Sequence, residues 1–417
     1  MSAPTLTRRP LTDQAAAAAR SPEQLAATIA VFTLGLRYDV HLGMTFGVLV
    51  AVLLLPVWYQ AFGLYRGGRA MAGGLVLVLL NGLALAGFSR STHVVDSHEL
   101  SAQVMMVVEV LAGTGVILWA RRVLPVWAVG AAFGLGMCAW AVVHPSAGGN
   151  PWKFDLAIPV GVLLLALASR SRRAAWPILA MVLLAAVSVV FDSRAYSAAL
   201  LLCAVLYLWR ALPQLRRTRH GWVGVSVMVA GVGAALYFLV SALLVNGWLG
   251  TAAALRTQSQ IETSGSLILG GRPEIAATWA LLRYQPWGYG PGVSPAFRDI
   301  LVAKSGMATI NYDPNNGYVD NYMLGGHFEL HSVFGDLWAS YGVAGLALAL
   351  AAVLLAGYAV ARGIATRSGS AVLFFAAVWT LWNVPFSPLV VSVPILSLLF
   401  GLVLRPRTAV GEPRGGG

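Results

Sequence analysis

The stretch His327-Phe-Glu-Leu-His331-Ser-Val-Phe-Gly-Asp-Leu-Trp-Ala-Ser-Tyr-Gly342-Val-Ala-Gly345 marks where a long polar segment returns to apolar sequence. The polar segment begins near Trp248 and is rich in Arg, His, Gly and aromatic residues. Almost all of the sequence before and after it is apolar enough to form membrane helices. We therefore expect the chemistry of this protein to be carried by this one segment.

The composition is typical of a membrane protein. Of the 417 residues, 58% are hydrophobic and only 11% are charged, and the mean hydropathy is +0.74. Soluble domains carry about 25% charged residues, so the sequence predicts an all-α polytopic membrane protein. Cys138 and Cys203 both lie in apolar runs, so no disulfide framework is indicated.

Twelve stretches are long and apolar enough to be predicted as membrane helices. A hydrocarbon core about 30 Å thick requires about 20 apolar residues per helix. The predicted helices are 23–37, 42–62, 71–88, 100–119, 123–143, 154–169, 174–191, 195–210, 221–247, 333–360, 370–384 and 387–404. The chain is thereby divided into a tail (1–22), helices 1–9 (23–247), one long external loop (248–332), helices 10–12 (333–404) and a second tail (405–417).

The distribution of basic residues predicts the orientation, because Lys and Arg are retained on the cytoplasmic side of a membrane. If the N-terminus is cytoplasmic, the predicted inner segments carry 19 of the 28 basic residues, and every such segment carries at least two. This pattern favours cytoplasmic N- and C-termini and an external loop. It also explains the net charge of +12 as an orientation signal, so we expect no nucleic-acid partner.

Arg272 is the first candidate for binding an anion. It lies in Gly270-Gly-Arg-Pro-Glu-Ile, and Pro273 suits the first position of a helix, which should end before Pro286. An arginine beside the free N–H groups of a helix N-terminus is well suited to bind phosphate. The alternative is a surface arginine that pairs with Glu274 or with a lipid headgroup.

Arg194 is the second candidate cation, at the outer end of the seventh predicted helix. A charged residue between membrane helices is costly unless it has a partner. The alternative to anion binding is a local ion pair with Asp192 or contact with the headgroups. If Arg194 and Arg272 face one pocket, they provide the two positive groups that a diphosphate needs.

His331 and His327 precede the tenth predicted helix. At a spacing of four they would share a face if that helix had already begun, and such a pair can bind zinc. Glu329 is one place late for the metalloprotease motif. Histidine can act as a general base near neutral pH. The alternative is a histidine that is only hydrogen-bonded within the loop.

Two further features suggest other chemistry. The segment Asp313-Pro-Asn-Asn-Gly-Tyr-Val-Asp320 resembles a calcium loop, but its glycine is one place early, which favours a turn. Glu109 is an intramembrane carboxylate that could mark a proton path in a transporter.

Taken together, these motifs resemble the O-antigen ligase and polymerase superfamily of bacterial membrane glycosyltransferases. Gly271-Arg272-Pro-Glu-Ile followed by Pro286-Trp-Gly-Tyr-Gly-Pro-Gly292 is similar to that family's arginine helix and glycine-rich segment, and Asp192-Ser-Arg194 to its arginine after the seventh helix. His331-Ser332 with Gly342 and Gly345 resembles the ligase signature. The family often has Asn where this chain has Ser332. The chain lacks the two arginines, each followed by Gly at ten residues' distance, that some polymerases have.

The resemblance implies a GT-C-like fold of about twelve membrane helices in the bacterial cytoplasmic membrane, with the active site outside. It implies transfer of a glycan from undecaprenyl diphosphate to an acceptor hydroxyl, with lipid A-core or another glycan as acceptor and no cofactor or metal. Inversion at the anomeric carbon is expected from the family.

The resemblance also implies roles for individual residues. Arg272 and Arg194 would hold the diphosphate, and His331 would activate the acceptor hydroxyl. Substrate-binding residues would be His327, Arg283, Trp287, Tyr289 and Tyr318. Aromatic residues of this segment, including Trp279, could equally be interfacial anchors. A ligase is favoured; a polymerase of lipid-linked repeat units is the alternative, and a lipid or polysaccharide transporter is a more distant one.

Overall fold

The apolar runs of the sequence form helices in the computed structural model, which describes residues 11–146, 148–171, 173–211, 231, 246–247, 251–264 and 270–407. The α-helices are α1 (Leu11–Leu36), α2 (Phe46–Leu53), α3 (Leu55–Leu64), α4 (Gly68–Ser89), α5 (Ser97–Val123), α6 (Val126–Val143), α7 (Ala157–Ala168), α8 (Ala175–Val190), α9 (Arg194–Ala211), α10 (Thr251–Ser264), α11 (Glu274–Tyr284), α12 (Phe297–Ala308), α13 (Val333–Thr366), α14 (Ala371–Phe386) and α15 (Leu389–Val403). Two single π-helical turns lie at Trp152–Leu156 and Val319–Met323.

The strands within the described ranges are short. β1 (Asp39–His41) pairs with β2 (Met44–Thr45), and β3 (Tyr65–Arg66) pairs with β4 (Arg405–Pro406), both antiparallel. The structure is thus mostly helical, as the composition predicts.

Four of the described helices, α4, α5, α6 and α13, are long and apolar enough to cross a membrane. The bent pair α2 and α3 would make a fifth span if it counts as one, and α8, α14 and α15 are shorter apolar helices. These helices support an all-α, membrane-embedded protein. The predicted helix 221–247 lies almost wholly outside the described residues.

Eleven of the twelve predicted stretches coincide with described helices, but their ends and continuity differ in places. α1 begins at Leu11, inside the predicted tail, because the alanine-rich segment before Ser21 favours helix. The predicted helix 42–62 is wrong as a straight element, since α2 and α3 meet at an angle of 81°. Pro56, in the first turn of α3, has no N–H with which to continue a helix from α2.

The large core lies among the apolar helices. α1 packs on α6, α5 packs on α15, and α13 packs on both α4 and α14. Large fully buried side chains such as Phe133, Phe375 and Phe400 fill this core. α13 therefore connects the helices that precede the polar segment with those that follow it.

Residues 270–332, which we call the loop unit, have a small core of their own. α11 packs against α12, and Ala277, Leu281, Ala303 and Met307 are fully buried between them. The indole N–H of Trp338 in α13 donates to the carbonyl of Pro286 at 3.0 Å. The loop unit is thereby attached to the first turns of α13, where the polar segment meets the membrane helices.

Candidate active site

Three of the residues singled out from the sequence lie together in the loop unit. The carboxylate of Glu274 contacts both Arg272 and Tyr318, and the ring of Tyr318 lies beside that of His331. They are up to 59 positions apart in the chain, and the packing of α11 against α12 and the following turns brings them together. We describe this group of four residues as the candidate site.

Arg272 forms an ion pair with Glu274, as the alternative interpretation of the sequence allowed. Its Nη1 lies 3.3 Å from Oε1 of Glu274, whose side chain is only 2% exposed. The helix that follows begins at Glu274 and is preceded by Pro273. A guanidinium has five N–H donors, and the Arg272 side chain is still 35% exposed. The pair therefore orients Arg272 and leaves donors for an incoming anion.

Tyr318 connects the arginine to the histidine. Its hydroxyl donates to Oε2 of Glu274 at 3.5 Å, and its ring centroid lies 6.1 Å from that of His331. Burial raises the pKa of Tyr318, and the negative charge of Glu274 raises it further, while Arg272 lowers it. The phenol therefore stays protonated at neutral pH and remains a donor to Glu274.

The segment before Tyr318 is a pair of side-chain-capped turns. The carboxylate of Asp313 accepts the N–H of Asn315, and the side-chain oxygen of Asn316 accepts the N–H of Tyr318, both at 2.9 Å. The prediction of a turn at this place is confirmed. These turns set the start of the π-helical turn at Val319–Met323 and so the position of the Tyr318 ring.

His331 lies in a tight turn, and its ring makes a hydrogen bond that suits a base. Its φ is +54°, a left-handed conformation that is uncommon for residues other than Gly, although Asn, Asp and His adopt it more often than the rest. Its Nδ1 lies 3.0 Å from the carbonyl oxygen of Glu329. Because a carbonyl can only accept, Nδ1 carries the proton in this hydrogen bond. In the neutral imidazole, Nε2 then has a free lone pair.

Asp336 is a site residue that the sequence analysis missed. It is buried in the first turn of α13, and its Oδ1 accepts the N–H of Leu330, directly before His331, at 2.7 Å. Its Oδ2 accepts the N–H of Leu389, the first residue of α15, also at 2.7 Å. The signal was a carboxylate just after a helix N-cap, Ser332, in an otherwise apolar helix. Asp336 ties the His331 turn to two helices.

The glycine-rich segment at 286–292 packs against α13 at Gly342. α13 is interrupted at Gly342, whose φ of 56° and ψ of −139° are open only to glycine. A methyl group on Gly342 would overlap the carbonyl oxygen of Trp287, in the glycine-rich segment. Asn81 of α4 donates to the carbonyl of Tyr341 beside this interruption at 2.7 Å. Glycine at position 342 therefore allows the backbone of α13 to pack closely against that of the glycine-rich segment.

Arg194 lies at the start of α9 and is paired with Asp192, with 2.8 Å between Nε and Oδ1. This ion pair is the alternative that the sequence analysis gave. A row of aromatic contacts leads from the first turn of α9 toward Arg272. The members of this aromatic row, with ring separations of 5.4, 6.5 and 4.7 Å, are Tyr196, Trp379, Trp382 and Phe386. The guanidinium carbon of Arg272 lies 6.0 Å from the centre of the Phe386 ring.

His327 and His331 precede α13 in non-helical backbone, so the condition for a shared helical face is not met. The His327 ring lies between two carboxylates, with Nδ1 3.6 Å from Glu99 and Nε2 3.7 Å from Glu329. Over the ranges that the structure covers, no group of three His, Cys, Asp or Glu side chains is arranged to hold a metal ion.

Two predicted substrate-binding residues are on the outside of the loop unit. The guanidinium of Arg283 lies over the ring of Trp279 at 5.2 Å, and both side chains are exposed. Trp287 is 68% exposed. Exposed aromatic rings of this kind suit either sugar stacking or the membrane interface.

Tyr289 is in a position that does not suit its predicted role in sugar binding. It is 1% exposed, and its ring stacks on Phe328 at 4.0 Å. Its hydroxyl donates to Asp299 at 3.2 Å, and its carbonyl accepts the Ser89 hydroxyl. This packing makes Tyr289 part of the core that joins the loop unit to α4.

Glu109, the carboxylate that suggested a proton path, has a partner. Its Oε1 lies 3.1 Å from Nε of Arg37, which also donates to the carbonyl of Val390 at 2.9 Å. A buried, paired carboxylate fulfils a structural role between α1, α5 and α15.

Comparisons of the chain with protein-family models, with curated proteins and with solved structures gave no match.

Proposed function

We propose that this protein is a membrane glycosyltransferase of the O-antigen ligase type, with a GT-C-like arrangement of about twelve membrane helices. It transfers a glycan from undecaprenyl diphosphate to an acceptor hydroxyl of lipid A-core or a similar glycan. The reaction takes place on the outer side of the bacterial cytoplasmic membrane, with the loop unit facing outward. The proposal rests on the ligase-like signature and on the candidate site.

The observation that carries the proposal is that a candidate base, His331, and a candidate cation, Arg272, lie in the same small site. The hydrogen bond from His331 to the Glu329 carbonyl leaves Nε2 with a lone pair. Arg272 is close by through Tyr318 and Glu274 and is partly exposed. Glycan transfer from a diphosphate needs these two functions, since a hydroxyl must lose a proton while a leaving group gains negative charge.

In the proposed step, Nε2 of His331 accepts the proton of the acceptor hydroxyl. The acceptor oxygen forms a bond to the anomeric carbon as the bond from that carbon to the diphosphate oxygen breaks. The electron pair of the broken bond goes to the diphosphate, whose charge Arg272 stabilises, with Arg194 as the second cation. A direct displacement of this kind inverts the anomeric configuration.

Glu274 and Tyr318 act in this proposal as positioning residues. Glu274 is buried, and one of its oxygens is hydrogen-bonded to Tyr318 while the other holds Arg272. The guanidinium is therefore held in place before the donor arrives, which reduces the entropy lost on binding. A paired carboxylate also limits repulsion between Glu274 and the diphosphate.

The aromatic row supports a path for the polyprenyl chain of the donor. Its rings extend from the helix that begins at Arg194 to the vicinity of Arg272. Apolar rings can cover isoprene units while Arg272, at one end of the row, binds the diphosphate. Trp287, His327 and Arg283 are the candidates for contact with the sugars.

A polymerase is the stronger alternative to a ligase, and a transporter is the weaker one. A polymerase would use the same site with a second lipid-linked repeat unit as acceptor, so the acceptor alone separates it from a ligase. A transporter was suggested by Glu109, and the ion pair of that residue with Arg37 gives it a structural role instead. The observations therefore favour an enzyme.

The test is a transfer reaction with the purified full-length protein, undecaprenyl-diphosphate-linked oligosaccharide and lipid A-core, followed by gel and mass spectrometry. We expect glycan on lipid A-core, and none with the His331→Ala variant. His98→Ala, which changes an exposed histidine at the start of α5, is the matched control and should retain transfer. Longer lipid-linked chains would indicate a polymerase, and no product with either acceptor would contradict the proposal.

A further inference from the structure

The membrane helices hold a cavity far from the candidate site. It has a volume of about 640 Å³ and lies between α4 and α13. Its walls are almost entirely apolar and include Gly74 and Ala351. Leu77 and Leu354 line it and are themselves exposed, so the cavity opens sideways toward the surface that a membrane would cover.

The cavity is elongated along the helices. On α13 its lining runs from Ala344 to Tyr358, which corresponds to about 21 Å at 1.5 Å per residue. This is a large part of a hydrocarbon core about 30 Å thick. A groove with these dimensions and apolar walls fits extended hydrocarbon chains better than a compact polar ligand.

Two arginines lie at one end of the cavity. Arg66 of β3 and Arg405 of β4 both line it, and they are direct cross-strand partners. Like charges directly opposite each other destabilise a strand pair. Neither guanidinium has a carboxylate partner within the described part of the chain. A bound phosphate would supply the missing negative charge.

The charged end of the cavity is opposite to the candidate site. Arg66 lies just before the first residue of α4, whereas Ser89, the last residue of α4, contacts the loop unit through Tyr289. α4 has 22 residues and therefore spans about 33 Å. The diphosphate of a donor bound at Arg272 could not also lie at Arg66 and Arg405, so a phosphate at this end belongs to a different molecule.

We propose that this cavity binds an anionic diacyl phospholipid, with its headgroup phosphate between Arg66 and Arg405 and an acyl chain along α4 and α13. Basic residues at a membrane surface attract anionic lipids, and the apolar groove retains the chain. The lipid relieves the repulsion between the two arginines and fills the space between α4 and α13. This site is separate from the proposed transferase site.

The experiment is native mass spectrometry of the full-length protein in a neutral detergent, titrated with dioleoyl phosphatidylglycerol or dioleoyl phosphatidylcholine. We expect the wild type to retain phosphatidylglycerol in preference to phosphatidylcholine. Arg66→Gln and Arg405→Gln should each weaken phosphatidylglycerol binding about fivefold. Arg122→Gln, which removes an exposed arginine that does not line the cavity, should have no effect.

A pair of glycine variants tests the groove itself. Added side chains at Gly73 and Gly74 would each begin in open space, with nothing within 4 Å of the first carbon. Only Gly74 lines the cavity, so Gly74→Leu should reduce binding of both lipids while Gly73→Leu binds like the wild type. Because the added side chain begins in open space at both positions, we expect both variants to fold.

Three results would overturn the proposal. They are equal binding of the two phospholipids by the wild type, wild-type binding by Gly74→Leu, and unchanged preference in both arginine variants. Displacement of phosphatidylglycerol from the wild type by undecaprenyl phosphate would also overturn it, because the cavity would then belong to a polyprenyl lipid. Because the readout is lipid binding without a glycan donor, its outcome does not depend on whether the protein is a transferase.

Discussion

The carboxylate of Asp336 accepts the backbone N–H of Leu330 at 2.7 Å and thereby holds the residue before His331 against the first turn of α13. The second oxygen of the same carboxylate accepts the N–H of Leu389 in α15. One buried side chain therefore joins the histidine turn to α13 and α15. The position of the proposed base depends on this residue.

We expect Asp336→Asn to destabilise the protein by about 2 kcal/mol, because an amide keeps only one of the two acceptor oxygens and points an N–H group at a backbone donor. Transfer should fall as well, because the His331 turn is less firmly held. Thermal unfolding in detergent measures the first effect and the transfer reaction the second. Normal stability together with normal turnover would show that Asp336 does not position the histidine.

His331→Asn should abolish base catalysis while it preserves the turn. Asparagine tolerates a positive φ better than most residues, so the backbone at φ +54° should persist. Loss of a general base typically lowers the rate by about 10²- to 10⁴-fold. We expect kcat to fall in this range with little change in stability, and His98→Ala to serve as the control. Full turnover by His331→Asn with normal protein levels would exclude His331 as the base.

Arg272→Lys should retain only part of the activity of the wild type. A lysine ammonium provides charge but not the fork of donors that can hold Glu274 and a phosphate together. Arg272→Ala should lose about 10²- to 10³-fold in kcat, the usual effect of removing one group that stabilises a developing anion. Arg298→Ala, an exposed arginine over the Tyr284 ring, is the control. Intact transfer by Arg272→Ala would rule out the diphosphate assignment.

Gly342→Ala should destabilise the protein or disturb the site, because alanine is strained at these dihedral angles and its methyl group would overlap the Trp287 carbonyl. The strain alone is worth about 1–3 kcal/mol. Gly357→Ala lies in the same helix, with nothing within 4 Å of the added carbon, and should be neutral or slightly stabilising. The two unfolding temperatures, measured side by side, test this difference. If the variants unfold alike, the interruption at Gly342 is not required.

Much of the secondary structure followed from hydrophobicity alone. Apolar runs such as 100–119 correspond to helices because every backbone polar group must be bonded within a membrane, and a helix does this without partners. Pro273 and Pro286 likewise bracketed α11 to within a residue, since proline restricts the backbone locally. These properties depend on residues close together in the chain.

The breaks in the helices and the contacts of the site depend on residues far apart in the chain. Hydropathy did not reveal the bend between α2 and α3, and the glycine spacing did not show that Gly342 packs on Trp287. Tyr289 and Tyr318 both looked like aromatic residues of a polar loop, yet the first is buried against Phe328 and the second lies beside His331.

By itself, the sequence determined a helical membrane protein with one polar segment that contains Arg272 and His331, because burial of apolar side chains and local backbone preferences act over short stretches. Only the tertiary structure decided that Glu274 and Tyr318 link these two residues and that Asp336 holds the histidine turn. A buried carboxylate takes whichever donors the folded backbone brings to it, and residues near it in sequence do not specify those donors.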